Sequence, residues 1–386
     1  MNPKYILYAI FAVILLHSCK PSDKSLYEFD PRSLDENEIT LFQIADDISY
    51  TPLDNSIQLG EIYDFHYPKF INNSIFLYEN KVGVLAFNRN GKFIRKIGSK
   101  GRGPGEYIYG LDFTVDKKTE TVYINDLTEI KTYNKEGKFL RSFSLKQFGD
   151  MINTIEFINS KLFVFYAIQN ENTPYEWIVF DTIGNVITKE KRRIPQFTSN
   201  VGGGEGAYYF NNKIGFWNQY SDTIFLISDD FRRTPSFIIS PGDHRFPKSR
   251  INAPTELSNH MSLRQIFETH HFLAVRYIFN EVNYFALIDK ESNRVFLFNW
   301  EFDGSGGILN DLDGGTRFLP KAYYIEDDRE YIIGFLYPYQ LKDLISSNDF
   351  KNSSPKYPEK KKELEKLAFG LKETDNPVLM IVRMKK

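Results

Sequence analysis

The chain has 386 residues, 42% of them hydrophobic and 25% charged, with a formal net charge of −2; this is material for a packed core without a basic field to hold a phosphate backbone. Nucleic acid is therefore excluded as an expected partner. Phe (34) and Tyr (24) are abundant, which favours strands packed face to face, and the single cysteine excludes an intrachain disulfide framework or a multi-cysteine metal site.

In chain order, Lys4 precedes the apolar run YILYAIFAVILL (residues 5–16), then HSC ends at Cys19. Such a run is too short to span a bilayer comfortably as a helix, and the layout is that of an export leader with a small residue before its cleavage point. The arrangement resembles a bacterial lipoprotein signal, which implies that Cys19 becomes the lipidated N-terminus; His17 departs from the residue usual there. A plain cleaved leader or an uncleaved anchor is the other reading. The expected division is a signal over 1–18, a polar tether over 19–38 and one folded domain over 39–386.

The folded part opens on ITLFQI (39–44), which reads as an early strand. After it a pattern recurs. FNRNGKFIRKIG (87–98) and YNKEGKFLRSFS (133–144) share an aromatic residue, Asn, two polar residues and Gly-Lys-Phe, and FDTIGNVITKE (180–190) is a weaker copy. Each reads as strand, glycine turn, strand. The turn glycines Gly91, Gly137 and Gly184 recur at the period of one four-stranded propeller blade. A second hairpin element precedes each: NNSIFLY (72–78), TETVYIND (119–126), NSKLFVF (159–165) and NNKIGFW (211–217). Later copies at 271–300 and 321–337 keep strand, turn, strand without the signature. The count is six units, with five or seven left open by the faded copies.

Between the first two signatures lies KIGSKGRGPGEY (96–107). A phosphate loop would need Gly-Lys-Ser/Thr feeding a helix, whereas here a strand follows, so the stretch reads as a connection between blades. Arg102, Glu106 and Tyr107 are its candidate ligand contacts, because guanidinium suits carboxylates and tyrosine suits recognition surfaces. VGGGEGAYYF (201–210) is a second such crossing, with Glu205 as a candidate rim contact. PEKKKELEKLAFGL (358–371) places Leu364, Leu367, Ala368 and Leu371 on one face and reads as a short amphipathic helix. The closing segment NPVLMIVRMKK (376–386) reads as a strand, and an early strand completing the last blade would tie the termini together.

The run GLDFTVDKKTETVYINDLTEIKTYNKEGKFLRSF resembles an NHL-type propeller repeat. With GSKGRGPGEY, NDLDGGTRFLP and DNPVLMIVRMK, it is similar to a family of six-bladed, TolB-like β-propeller lipoproteins of Bacteroidota envelopes. Leu319 stands where that family often has an aromatic residue. The resemblance implies an all-β, six-bladed propeller of four-stranded blades, lipid-anchored in the cell envelope on a periplasmic or surface face, with no general reaction attached.

Catalytic chemistry is not evident. DLDGG (311–315) resembles the start of a calcium loop, but Tyr323 stands where the closing carboxylate belongs, so an Asp/Gly turn is expected. His66, His244, His260, His270 and His271 have no chelating spacing, and no cofactor or metal is expected. The candidate inner strands offer Phe65, Phe113, Ile155 and Ala274 instead of a ring of carboxylates. The expected function is therefore a monomeric binding module presenting a propeller face to a protein, peptide or glycan. The alternative is a metal-dependent lactonase-like hydrolase or lyase that uses the central tunnel.

Overall fold

The computed structural model describes residues 27–30, 38–60, 67–149, 151–169, 172–195, 197–200, 204–249, 254–301 and 306–386. Within them the chain opens with β1 (Tyr27–Phe29), α1 (Leu41–Ile44) and β2 (Ala45–Pro52). Blade 1 is β3 (Lys69–Ile71), β4 (Ser74–Glu79), β5 (Gly83–Asn88) and β6 (Phe93–Ile97). Blade 2 is β7 (Asp112–Val115), β8 (Val122–Asn125), β9 (Glu129–Tyr133) and β10 (Phe139–Ser144). Blade 3 is β11 (Ile152–Ile158), β12 (Lys161–Tyr166), β13 (Tyr175–Phe180) and β14 (Val186–Lys191). Blade 4 is β15 (Glu205–Phe210), β16 (Lys213–Asn218), β17 (Thr223–Ile227) and β18 (Arg233–Ile239), and α2 (Pro254–Ser258) follows it. Blade 5 is β19 (Ser262–Glu268), β20 (Phe272–Phe279), β21 (Val282–Asp289) and β22 (Val295–Asn299). Blade 6 takes β23 (Ala322–Glu326), β24 (Arg329–Leu336) and β25 (Val378–Met384) from the end of the chain and β2 from its beginning.

Each blade runs antiparallel from an innermost to an outermost strand, and the innermost strands of successive blades lie side by side around a central channel. The result is a six-bladed propeller, as the repeat predicts. Closure is made by β2 against β25, with Ile48 opposite Val382 and Pro52 opposite Val378. The expected early strand at 39–44 is instead the single helical turn α1, and the closing strand is the segment after it. Leu41 and Ile44, three apart, are both buried, while Gln43 Oε1 accepts the Thr40 amide at 2.7 Å; that spacing and cap suit a helical turn better than a strand.

The recurring signature has a physical basis in two contacts. Asn88, Asn134 and Asp181 each use Oδ1 to accept the amides two and four residues ahead, which shapes the turn. The glycines at 91 and 137 have φ of +78° and +80°, and a Cβ there would sit 2.0 Å from Pro52 O and 2.2 Å from Lys96 O. Each turn abuts the outermost strand of the preceding blade, and the amides of Asp54 and Gly98 donate to the carbonyls of Gly91 and Gly137. The repeat therefore encodes blade-to-blade contact as well as a turn.

The core lies between the sheets, and the aromatic excess is spent there. Stacked pairs join adjacent blades: Phe70 with Tyr324 at 4.3 Å, Tyr123 with Phe157 at 5.0 Å, Phe165 with Phe216 at 4.9 Å and Phe267 with Tyr323 at 5.5 Å. Between β24 and β25 the chain inserts α3 (Pro338–Ser346), α4 (Asn348–Asn352) and α5 (Pro358–Gly370). Only α5 is expected from the sequence; its Leu364 and Ala368 are buried, as its period requires. The missed α3 carries the same kind of signal, since Leu341 and Ile345 are buried one turn apart.

Candidate functional site

The connection from blade 1 to blade 2 is clasped at several points. Gly101 N donates to Tyr107 O at 3.0 Å and Tyr107 N to Ser99 O at 3.1 Å, so the stretch folds back on itself. Glu106 holds that fold: its Oε2 accepts Gly103 N at 2.7 Å, and its own carbonyl accepts Lys131 Nζ at 2.5 Å. Tyr107 is fully buried, accepting Val84 N at 2.8 Å and donating to Ile97 O at 3.2 Å, with its ring edge-on to Tyr133. Burial pushes its phenol well above the ordinary range, so the hydroxyl stays protonated and able to donate.

Beyond Tyr107 the backbone turns over a carboxylate. Asp126, itself buried, accepts the amides of Ile108, Tyr109 and Gly110, with Tyr109 N at 2.6 Å from Oδ1. Tyr78 OH donates to Tyr109 O at 2.8 Å. The backbone is thus held while its side chains project: Ile108 is 45%, Tyr109 47% and Leu111 37% exposed. Arg102 is exposed too and has no hydrogen-bond or ion-pair partner among the described residues.

The predicted candidates therefore do different things. Tyr107 is an internal strut and Glu106 a loop clasp, with their polar groups engaged inside the fold, whereas the Arg102 side chain is exposed. Ile108, Tyr109 and Leu111 were missed, and the exposed apolar run IYGL after the glycines was the available signal. Glu205 lies elsewhere, at the start of β15 between blades 3 and 4, where its carboxylate is buried. Burial pushes its pKa up to about 8, although the Ile168 amide and Arg192 pull the other way. Cys19, Phe65 and His66 lie outside the described residues.

The central channel corrects the expectation of an apolar inner ring. Ala274 is on β20, the second strand of its blade, while Phe113 and Ile155 are on inner strands but pack into interblade cores. The inner strands also bring in charge. Lys69 Nζ of blade 1 lies 2.5 Å from Glu156 Oε1 of blade 3; reaching past blade 2 places that pair at the channel. Asp112 Oδ2 accepts Thr154 Oγ1 at 2.6 Å. Further round, Glu268 accepts Tyr208 OH at 3.1 Å and Lys290 Nζ at 2.7 Å. Burial works against the Lys69 charge, but Glu156 and Asp112 outweigh it and hold the amine above its ordinary range; burial raises Glu156 and Glu268. Among the described residues, no three His, Cys, Asp or Glu side chains gather as a metal-binding group.

Two other motifs resolve into structural roles. Asp313 of DLDGG is buried and accepts Tyr50 OH at 2.8 Å, Asn310 Nδ2 at 2.7 Å and Gly315 N at 2.8 Å, while Asp311 accepts Phe42 N; the turn ties down the N-terminal segment. His270 has a partner that its sequence neighbours could not reveal: its Nδ1 is 2.9 Å from Glu330 Oε1, beside a cleft of about 180 Å³. Among the described residues no helix is long and apolar enough to cross a membrane.

No curated protein matches the chain in a sequence comparison. Among solved structures it is similar to one described as a putative exported protein from Bacteroides fragilis NCTC 9343, with 20% identity and a TM-score of 0.64 over 94% of this chain and 100% of that one. It is also similar to a member of the DUF4221 family from Bacteroides vulgatus ATCC 8482, with 12% identity and a TM-score of 0.51 over 89% of this chain and 98% of that one. At such identities the likeness concerns the fold. A family model matches residues 27–383, nearly the whole of the propeller and its N-terminal strand, and the chain belongs to that family, the Domain of unknown function (DUF4934).

Proposed function

We propose that this propeller is a binding module of the cell envelope, tethered through a lipid on Cys19, that captures an extended protein segment at the blade 1–blade 2 junction. The observation that carries the reading is the contrast within one connection: a backbone clasped by Glu106, Tyr107 and Asp126 holds out Arg102, Ile108, Tyr109 and Leu111. Such preorganisation lowers the ordering cost of binding. An unpaired guanidinium on the same connection as exposed apolar side chains suits a segment with a carboxylate flanked by apolar residues. The apolar run over 5–16 ending at Cys19 supports a location outside the cytoplasm.

The hydrolase or lyase alternative gains no support, because Glu156 and Glu268 are each engaged by a lysine and Asp112 by a threonine hydroxyl. The test is a photocrosslinking residue at Tyr109 in the native envelope, compared with one at Asp243 after blade 4. A discrete protein adduct at 109 only, lost on Arg102→Glu, is expected. Equal adducts from both positions, or adducts indifferent to the charge reversal, would sink the reading.

A further inference from the structure

The N-terminal segment does more than lead into the closing strand. β1 pairs in parallel with β18, the outermost strand of blade 4, with Tyr27 opposite Phe237 and Phe29 opposite Ile239, and Ser240 N donates to Phe29 O at 2.9 Å. The Phe29 side chain is buried and sits edge-on to Tyr277 of blade 5 at 6.3 Å, so the strand is pinned by a ring as well as by its backbone. The chain then joins the domain again at α1 and β2 in blade 6.

We infer that β1 is a strap that orients the propeller on the membrane, with the rim of blade 4 towards the lipid surface and the blade 1–blade 2 junction away from it. The inference rests on the lipid-anchored reading above. Chain length carries it. From Cys19 to Tyr27 there are eight Cα steps, a reach of about 27 Å at most, whereas a tether free until α1 would reach about 75 Å. A compact domain of this size is roughly 50 Å across. The longer tether would let any side face the bilayer; the shorter one holds the blade 4 rim near it. In a ring of six, blade 1 is three blades from blade 4 in either direction, and the connection bearing Arg102, Ile108 and Tyr109 lies beside it. A partner would then be met from the aqueous side.

The test uses the full chain, expressed with its leader and reconstituted from the membrane fraction into vesicles that carry a headgroup acceptor dye. A fluorescent amino acid is placed at Thr234 on β18 or at Ile94 on β6. Energy transfer severalfold stronger from 234 than from 94 is expected. Inserting about a dozen Gly/Ser residues between Ser25 and Leu26 leaves the strap in place but lengthens the tether, and the contrast should then fall towards unity with the melting temperature unchanged. Phe29→Ala should also erase the contrast, and the insertion variant keeps the conclusion independent of any folding loss in that mutant. Equal transfer from the two positions in vesicle-bound wild type would overturn the strap. Absence of protein from the vesicles would overturn the anchored reading itself, and the strap's role with it.

Discussion

Lys69 of blade 1 and Glu156 of blade 3 meet at 2.5 Å, joining two blades that are not neighbours in the ring. Removing one partner from a buried pair typically costs about 3–5 kcal/mol, because the other charge is stranded. A quarter of the Lys69 side chain is exposed, so solvent softens the loss. Lys69→Met is expected to cost about 2 kcal/mol, and the double variant Lys69→Met with Glu156→Gln less than that. A double-mutant cycle in denaturant checks this, and simple additivity would mean the pair is uncoupled.

Glu205 predicts a pH dependence. Its folded pKa of about 8 lies above the ordinary carboxyl range, so the folded state keeps a proton that the unfolded chain releases. Its contribution to stability is full below about pH 4.5 and is lost as pH rises through 8. Glu205→Gln should flatten that slope, raising stability at pH 8.5 relative to pH 5 by about 3 kcal/mol compared with wild type. Melting curves across this range provide the measurement, and parallel curves for the two proteins would refute it.

The glycines of the blade 1–blade 2 connection are not equivalent. Gly98 has φ of +61° and a Cβ there would meet the Tyr133 ring at 2.5 Å, whereas Gly103 has no left-handed φ and faces only the end of Glu106. Gly98→Ala is expected to cost about 2–3 kcal/mol and Gly103→Ala less than about 1. Arg102→Ala should leave the melting temperature unchanged, since it breaks no contact within the fold. Equal losses at the two glycines would contradict the assignment.

Tyr107→Phe removes the hydroxyl that accepts Val84 N, and leaves a buried amide without its partner. The expected loss is about 1–3 kcal/mol. Hydrogen exchange at Val84 should accelerate in the variant, and unchanged protection there would argue against the strut.

Deleting residues 377–386 removes β25, which lies between β24 and β2 and carries buried Val378, Leu379, Met380 and Val382. With that strand gone, β2 has no sheet to close and blade 6 exposes an edge. An aggregated or unfolded product is expected by size-exclusion chromatography and circular dichroism; a stable monomer would exclude closure as the source of stability.

Much of the fold was legible because propeller blades are built from local hairpins. Asn88 with Gly91, and Asn134 with Gly137, encode their turns within a few residues, and the same glycines record contact with the blade before, so the repeat displays both levels of structure. The site was less legible. Tyr107 looked like a recognition residue because sequence reveals its type and neighbours but not its burial, and Ile108 and Tyr109 look like core residues until the fold leaves them outside.

By itself the sequence determined the all-β class, the blade period and the closing role of the last segment. Each depends on residue type and on spacings short enough to be read along the chain. Tertiary structure alone decided that β2, not residues 39–44, closes the ring, that Phe29 is pinned between blades 4 and 5, and that Lys69 reaches Glu156. These contacts join residues scores to hundreds of positions apart, and they arise from the curvature that brings six sheets around one axis. No local pattern encodes that curvature; packing between whole blades sets it.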